Sequence, residues 1–180
     1  MRLARHGFSL FGMLVALALS GLILTLSSRL LLDLQRAVLG EYQAAIARDS
    51  LWQLALDVGK HLQRAGYCRT DYQWPPLTLG RQGRCIIVQW QKPDGQPDEF
   101  ERLGYRFHQG TLQRLKDAPD CEGAGWEKVT DPQQLRLTDF SVTRRFRHHA
   151  RPLLIIQLVA SLAHRQRLIE VRHVVVGENQ

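Results

Sequence analysis

Residues 7–28 read GFSLFGMLVALALSGLILTLSS, and from Phe8 to Ser28 there are 21 consecutive residues without a charge. At about 1.5 Å per residue a helix of that length covers roughly 30 Å, the hydrocarbon thickness of a bilayer. Arg29 closes the run, and a short positive stretch, MRLARHG, precedes it. Arg2 and Arg5 favour keeping that end in the cytoplasm, so the chain beyond the run is expected on the other side of the membrane.

Three readings of this segment compete. A conventional signal peptide finds a small-x-small cleavage site at Ala16-Leu17-Ala18. Cleavage there, however, would leave apolar residues 19–28 as a sticky new N-terminus. A plain single-pass anchor is the second reading. The third is a signal cut before the apolar segment. Gly7-Phe8-Ser9-Leu10, followed by Met13-Leu14-Val15-Ala16-Leu17, resembles the type IV prepilin motif of the pilin and pseudopilin families. That resemblance implies cleavage between Gly7 and Phe8 by a prepilin peptidase, and N-methylation of Phe8. The families usually carry glutamate five residues into the mature chain, where Gly12 stands here. A carboxylate inside an apolar filament core is costly unless paired. Its absence implies either a subunit at the filament tip, with no neighbour above to neutralise, or one that incorporates poorly, and the tip is the expectation adopted.

The helical pattern continues past the anchor. Leu51, Leu54, Val58, Leu62 and Ala65 recur at three- and four-residue steps and share one helix face, with Gln53, Asp57, Lys60 and Gln63 on the others. Gly66 is a natural C-cap, since glycine tolerates the left-handed conformation. Gly40 and Gly59 each cost about 1 kcal/mol against alanine inside a helix, and Gly40 is the expected place for a bend or break.

Residues 84–91 (RCIIVQWQ), 103–109 (LGYRFHQ) and 111–116 (TLQRLK) read as a three-strand meander, with the turn formers KPDGQPDE at 92–99. Residues 117–134, rich in Asp, Pro and Gly, read as a loop. Three further strands are expected in LRLTDFSVTRRF, PLLIIQLVASLA and RLIEVRHVVVG. The class is α+β: a long N-terminal helix and an antiparallel β-sheet head domain. The expected divisions are a leader at 1–7, a transmembrane or filament-core helix at 8–28, its continuation at 29–65, and a head at 66–180.

The stretches LWQLALDVGKHLQRAGYC, RQGRCIIVQWQ and CEGAGWEKVTDPQQLRL are similar to the prepilin peptidase-dependent protein B group, related to minor pilins of the W and J types. The resemblance implies a minor prepilin-type subunit that primes or caps a type IV pilus or a type II secretion pseudopilus. Its implied partners are other minor pilins or pseudopilins, the major pilin, prepilin peptidase and inner-membrane lipid. The implied location is the inner membrane, single-pass, with the head in the periplasm.

Charge and cysteines narrow this further. The chain carries a formal charge of +7, to which Arg2 and Arg5 contribute two, leaving +5 beyond the leader. Such an excess suits anionic headgroups, acidic partners or nucleic acid and selects none of them. Cys68, Cys85 and Cys121 all follow the apolar run, so export favours a disulfide. Three single pairings are open, and sequence does not choose among them. The expectation adopted is Cys85–Cys121, closing a loop of about 37 residues worth roughly 4 kcal/mol, with Cys68 outside the bridge.

Arg144, Arg145, Arg147 and Arg151, with His148 and His149 between them, form a basic run. It reads first as a solvated hairpin and second as a patch for an anionic partner. Only Phe146 interleaves with the charges, which is poor for stacking on single strands. A DNA-binding tip subunit and a generic membrane-anchored periplasmic protein are the alternative functions, and nucleic acid is the less favoured partner. Adjacent histidines in a strand point to opposite faces, so no metal site is expected of His148 and His149, or of His164 and His173. No GxSxG, HExxH or glycine-rich phosphate loop occurs, and the reading is of a protein that is not an enzyme and needs no cofactor.

Replacing Gly7 by a bulkier residue is expected to abolish removal of residues 1–7, read as an unshifted mass of the full chain. Normal cleavage of that variant would refute the assignment.

Overall fold

A computed structural model describes residues 10–69, 75–92, 99–133, 135–162 and 165–179. One helix, α1, spans Leu10–Arg64 without interruption. Gly40 therefore does not break it, contrary to the sequence expectation. A single glycine removes a favourable propensity, but cooperative propagation from the turns on either side outweighs a loss of about 1 kcal/mol. The chain divides into two compact units, Met1–Gln43 and Ala44–Gln180. In the first unit every described residue from 10 to 39 is exposed.

In the second unit the helix buries Ala47, Leu51, Leu54, Ala55, Val58, Leu62 and Ala65, the stripe read from three- and four-residue spacing. Each buried leucine contributes about 1.5–3 kcal/mol. The helix ends at Gly66, whose φ of +82° is left-handed, and whose N–H donates to the Gln89 carbonyl at 2.9 Å. The capping donor is thus spent on a strand and not on the helix itself. A Cβ at Gly66 would also lie 2.4 Å from the Asn179 carbonyl oxygen, so this junction admits only glycine.

Two antiparallel sheets follow, where the sequence suggested a single sheet domain. The first has the order β1-β2-β3-β4-β5, with β1 Leu77–Gly80, β2 Cys85–Gln91, β3 Phe100–His108, β4 Thr111–Lys116 and β5 Glu127–Lys128. β1 was not read from the sequence, and β5 lies inside the segment read wholly as loop. Both are short and take their identity from the ladder of a neighbour: Leu77 pairs with Val88, and Gln113 with Lys128. The second sheet is β6 Leu135–Arg147, β7 Ala150–Leu162 and β8 Arg165–Val176, in that order. β7 is central, and its Leu154, Ile155, Ile156, Leu158 and Ala160 are all buried. That explains its nearly continuous apolar sequence. The sheets are joined by a backbone bond from Leu137 N–H to the Gly110 carbonyl at 3.0 Å and by an Arg84–Asp139 ion pair at 3.0 Å.

The helix meets both sheets. A Cβ on Gly59 would lie 3.0 Å from the His173 ring of β8 and 3.2 Å from Val175 Cγ1. Toward the first sheet, fully buried Tyr105 places its hydroxyl 3.0 Å from Asp57 Oδ2 and 3.0 Å from His61 Nδ1. A carboxylate can only accept, so the phenol proton goes to Asp57 and the His61 Nδ1–H donates to the phenol oxygen. His61 also stacks on Trp90, with centroids 5.7 Å apart.

Cys85 at the start of β2 and Cys121 in the 117–126 loop are joined by a disulfide with Cα atoms 6.1 Å apart. The loop is held against the sheet by more than this bond. Arg106 stacks 4.4 Å over the Trp126 ring and donates from Nη1 to the Cys121 carbonyl at 3.1 Å. Close approach needs small residues beneath: a Cβ on Gly80 would sit 2.8 Å from Cys121 Sγ, and one on Gly104 2.8 Å from the Trp126 ring.

Two outcomes are expected. Replacing both Cys85 and Cys121 by alanine should lower unfolding stability by about 2–4 kcal/mol in urea titration, the scale of a lost loop constraint. Burial holds His61 below its ordinary value of 6.5, against an opposing effect of Asp57. The unfolded chain therefore binds this proton at a higher pH than the folded one. Stability from neutral His61 is complete above pH 6.5 and falls as pH drops below it. A His61→Gln variant should show a shallower loss between pH 6.5 and 5 in matched thermal melts.

Candidate assembly helix and head surfaces

Three hydroxyls in the apolar half of α1 bond back to its own carbonyls. Ser20 Oγ donates to the Ala16 carbonyl at 2.7 Å, Thr25 Oγ1 to Leu22 at 2.8 Å and Ser28 Oγ to Leu24 at 2.8 Å. No hydroxyl among these three reaches outward unpaired, which suits an apolar surround. Leu10, Phe11, Leu17, Ile23 and Leu24 are 61–78% exposed, so the apolar surface has no covering within its own unit. An exposed apolar area of this extent marks a membrane or protein contact. The chain thus has one N-terminal helix long and apolar enough to cross a membrane, compatible with a single-pass anchor. Gly12 lies on it, and a Cβ added there would meet nothing within 4 Å. Gly7 and Phe8 lie outside the described residues, as does His164.

The basic run occupies the β6–β7 hairpin, whose two-residue turn is His148-His149, flanked by the Arg147–Ala150 pair. Arg145 and Arg147 are exposed there, and Phe146 is 79% exposed. Arg144 is half-buried, its guanidinium 5.8 Å from the Phe146 ring centroid, and successive residues of a strand face opposite ways. Arg151 is ion-paired with Glu178. At the hairpin tip Arg145, Arg147 and Phe146 are thus exposed, Arg144 is half-buried near the Phe146 ring, and Arg151 is engaged by Glu178.

Contrary to the sequence expectation, His148 and His149 do not belong to a strand, so their side chains do not alternate as they would in one. They lie in the turn, where His149 has φ +54°, and their ring centroids approach to 4.7 Å. Turn geometry removes the alternation that a strand imposes. Among the described residues, no group of three or more His, Cys, Asp or Glu side chains is placed to hold a metal ion.

Sequence reading missed a cleft of about 420 Å³ in the head, lined by residues of α1, β3 and β4 and by Trp90 and Lys92 at the end of β2. Its cations are single residues scattered between positions 64 and 116, so no local run announces them. A signal was available in His61, whose place next to Leu62 sets it beside the buried stripe.

Comparison with known proteins agrees with this architecture. The family described as Prepilin peptidase-dependent protein B matches residues 41–176. A protein of Escherichia coli (strain K12) described as Prepilin peptidase-dependent protein B is 34% identical over 186 positions, covering 99% of this chain and 100% of that protein. No solved structure matches the chain. The family match spans the second half of the helix and both sheets, and the relative aligns from end to end: the chain belongs to the prepilin peptidase-dependent protein B family.

Proposed function

We propose that this chain is a minor prepilin-type subunit, cut by prepilin peptidase between Gly7 and Phe8 and N-methylated on Phe8. It is held in the inner membrane by residues 8–28, with residues 66–180 forming a periplasmic head. It primes or caps a type IV pilus or a type II secretion pseudopilus, together with other minor subunits and the major pilin.

The observation that carries this reading is the uncovered apolar half of α1 in a family whose name records dependence on prepilin peptidase. Extraction from the bilayer into a filament exchanges lipid for partner helices around the same exposed leucines. Cohesion then comes from lateral apolar packing and involves no reaction. Gly12 supplies no carboxylate to a neighbour's N-terminal amine. A subunit without it is suited to an end of the assembly, where one neighbour is missing.

The anionic-partner role of Arg144, Arg145, Arg147 and Arg151 narrows, under this proposal, to Arg145 and Arg147 at the hairpin tip. DNA binding at a filament tip is the second reading, and the exposure of these two arginines beside Phe146 is what supports it.

The deciding experiment is the mass and N-terminal sequence of the protein from cells with and without prepilin peptidase. A chain starting at methylated Phe8 only when the peptidase is present is the expected result. An intact Met1, or a start near Ser20, in both strains would overturn the proposal.

A further inference from the structure

The cleft behind the C-terminal turn of α1 brings together cations that are far apart in sequence. Arg64 comes from the last helical turn, Lys92 from the end of β2, Arg102 from β3, and Arg114 and Lys116 from β4. Against these five stand Glu101 and Asp117. The volume of about 420 Å³ lies in the range of clefts that hold a small ligand or a short length of chain.

Internal contacts do not consume this charge equally. Lys92 is ion-paired with Glu99, Arg102 donates to Gln89 Oε1 at 3.3 Å, and Glu101 accepts from Trp90 Nε1 at 3.1 Å. The Arg114 charge acts on the Tyr105 phenol, favouring its ionised form against the larger effect of burial. Arg64 and Lys116 are both exposed on the cleft wall. Burial keeps His61 in its neutral form near neutral pH, so the positive excess belongs to the arginines and lysines. Arg64 has a local reason to be there, since a cation complements the C-terminal end of a helix dipole. Lys116, at the far end of β4, has no such reason.

We infer that this cleft is a docking site for a carboxylate-bearing peptide segment of a partner protein. Charge complementarity identifies the ligand class: a positive concavity focuses field on an anion and strengthens charge-assisted contacts. The walls decide between anions. Phe100, half-buried on the wall, offers apolar surface for the side chains and backbone that accompany carboxylates in a peptide, with buried Trp90 and Leu103 beneath the cleft. Glu101 and Asp117 interrupt the cationic lining and repel a continuous phosphate backbone. A concavity also cannot apply its cations to a flat lipid surface.

The inference concerns the head alone and does not rest on the proposed function. It is tested with the purified full-length protein in non-ionic detergent, by fluorescence anisotropy of a labelled tetra-glutamate peptide. Tetra-glutamine, inorganic phosphate and a single-stranded oligonucleotide serve as competitors. Saturable binding is expected, displaced poorly by all three. The double variant Arg64→Gln/Lys116→Gln should weaken it by about tenfold, the loss of one to two charge-assisted contacts. The hairpin variant Arg145→Gln/Arg147→Gln should leave it within about twofold, as expected for charges that do not touch the probe. Arg64 and Lys116 are exposed, and unchanged melting temperatures identify the double variant as folded; Lys116→Glu alone should then weaken binding further than Lys116→Gln. Absence of saturable binding, equal loss from the hairpin variant, or preferential displacement by the oligonucleotide would each overturn the assignment. Failure here with a mature chain starting at Phe8 would leave the processing proposal standing.

Discussion

Burial of one helix face against two sheets is the constraint on which the head depends. Leu51, Val58 and Leu62 are fully buried, and they share a single core with Ile86, Val88 and Leu112 of the first sheet and Leu154, Ile156 and Leu158 of the second. Among the described residues a backbone hydrogen bond and a half-exposed ion pair bridge the sheets, and a surface pair of that kind is worth little. The helix is therefore the element that makes one core of two sheets. The Asp57–Tyr105–His61 hydrogen bonds add direction to that burial, because apolar contact alone leaves a helix free to slide or rotate on a sheet.

The same helix carries the opposite condition in its first half. From residue 10 to 39 its leucines and other apolar side chains are exposed, and the hydroxyls of Ser20, Thr25 and Ser28 are turned back onto its own carbonyls. A face that is apolar all round and internally satisfied is stable in lipid or among similar helices, not in water. One continuous element is thus written for two surroundings. The sequence marks the change: residues 8–28 carry no charge, whereas after Leu51 the buried apolar residues keep to one stripe among charged and polar neighbours.

Long irregular segments normally cost stability, and residues 117–126 show how this one is held. The disulfide to Cys85 shortens the unfolded chain's freedom, and Arg106 ties the same loop through a cation–π contact and a carbonyl bond. Glycine at 80 and 104 lets the sulfur and the indole approach. These contacts leave Lys116, at the end of β4 beyond its pairing with β5, exposed on the cleft that the helix end also lines.

The anchor, the buried stripe at 51–65, the glycine that ends the helix and the alternating or continuous apolar strands were all legible in the residues, because each is a local pattern of period 3.6 or 2 and burial follows it. What had no local pattern was decided only in three dimensions. β1 and β5 exist because β2 and β4 offer unpaired edges; their own residues carry no strand signal. The split into two sheets depends on β6 pairing with β7 and on β4 pairing with β5, partners that β6's own sequence does not specify. The rings of His148 and His149 meet because they occupy a turn, which a strand-based reading could not supply. The cationic cleft gathers single residues from several elements, so its charge emerges only when the helix end is laid beside β3 and β4. Periodic burial is a property of the chain, whereas proximity between distant elements is a property of the packing.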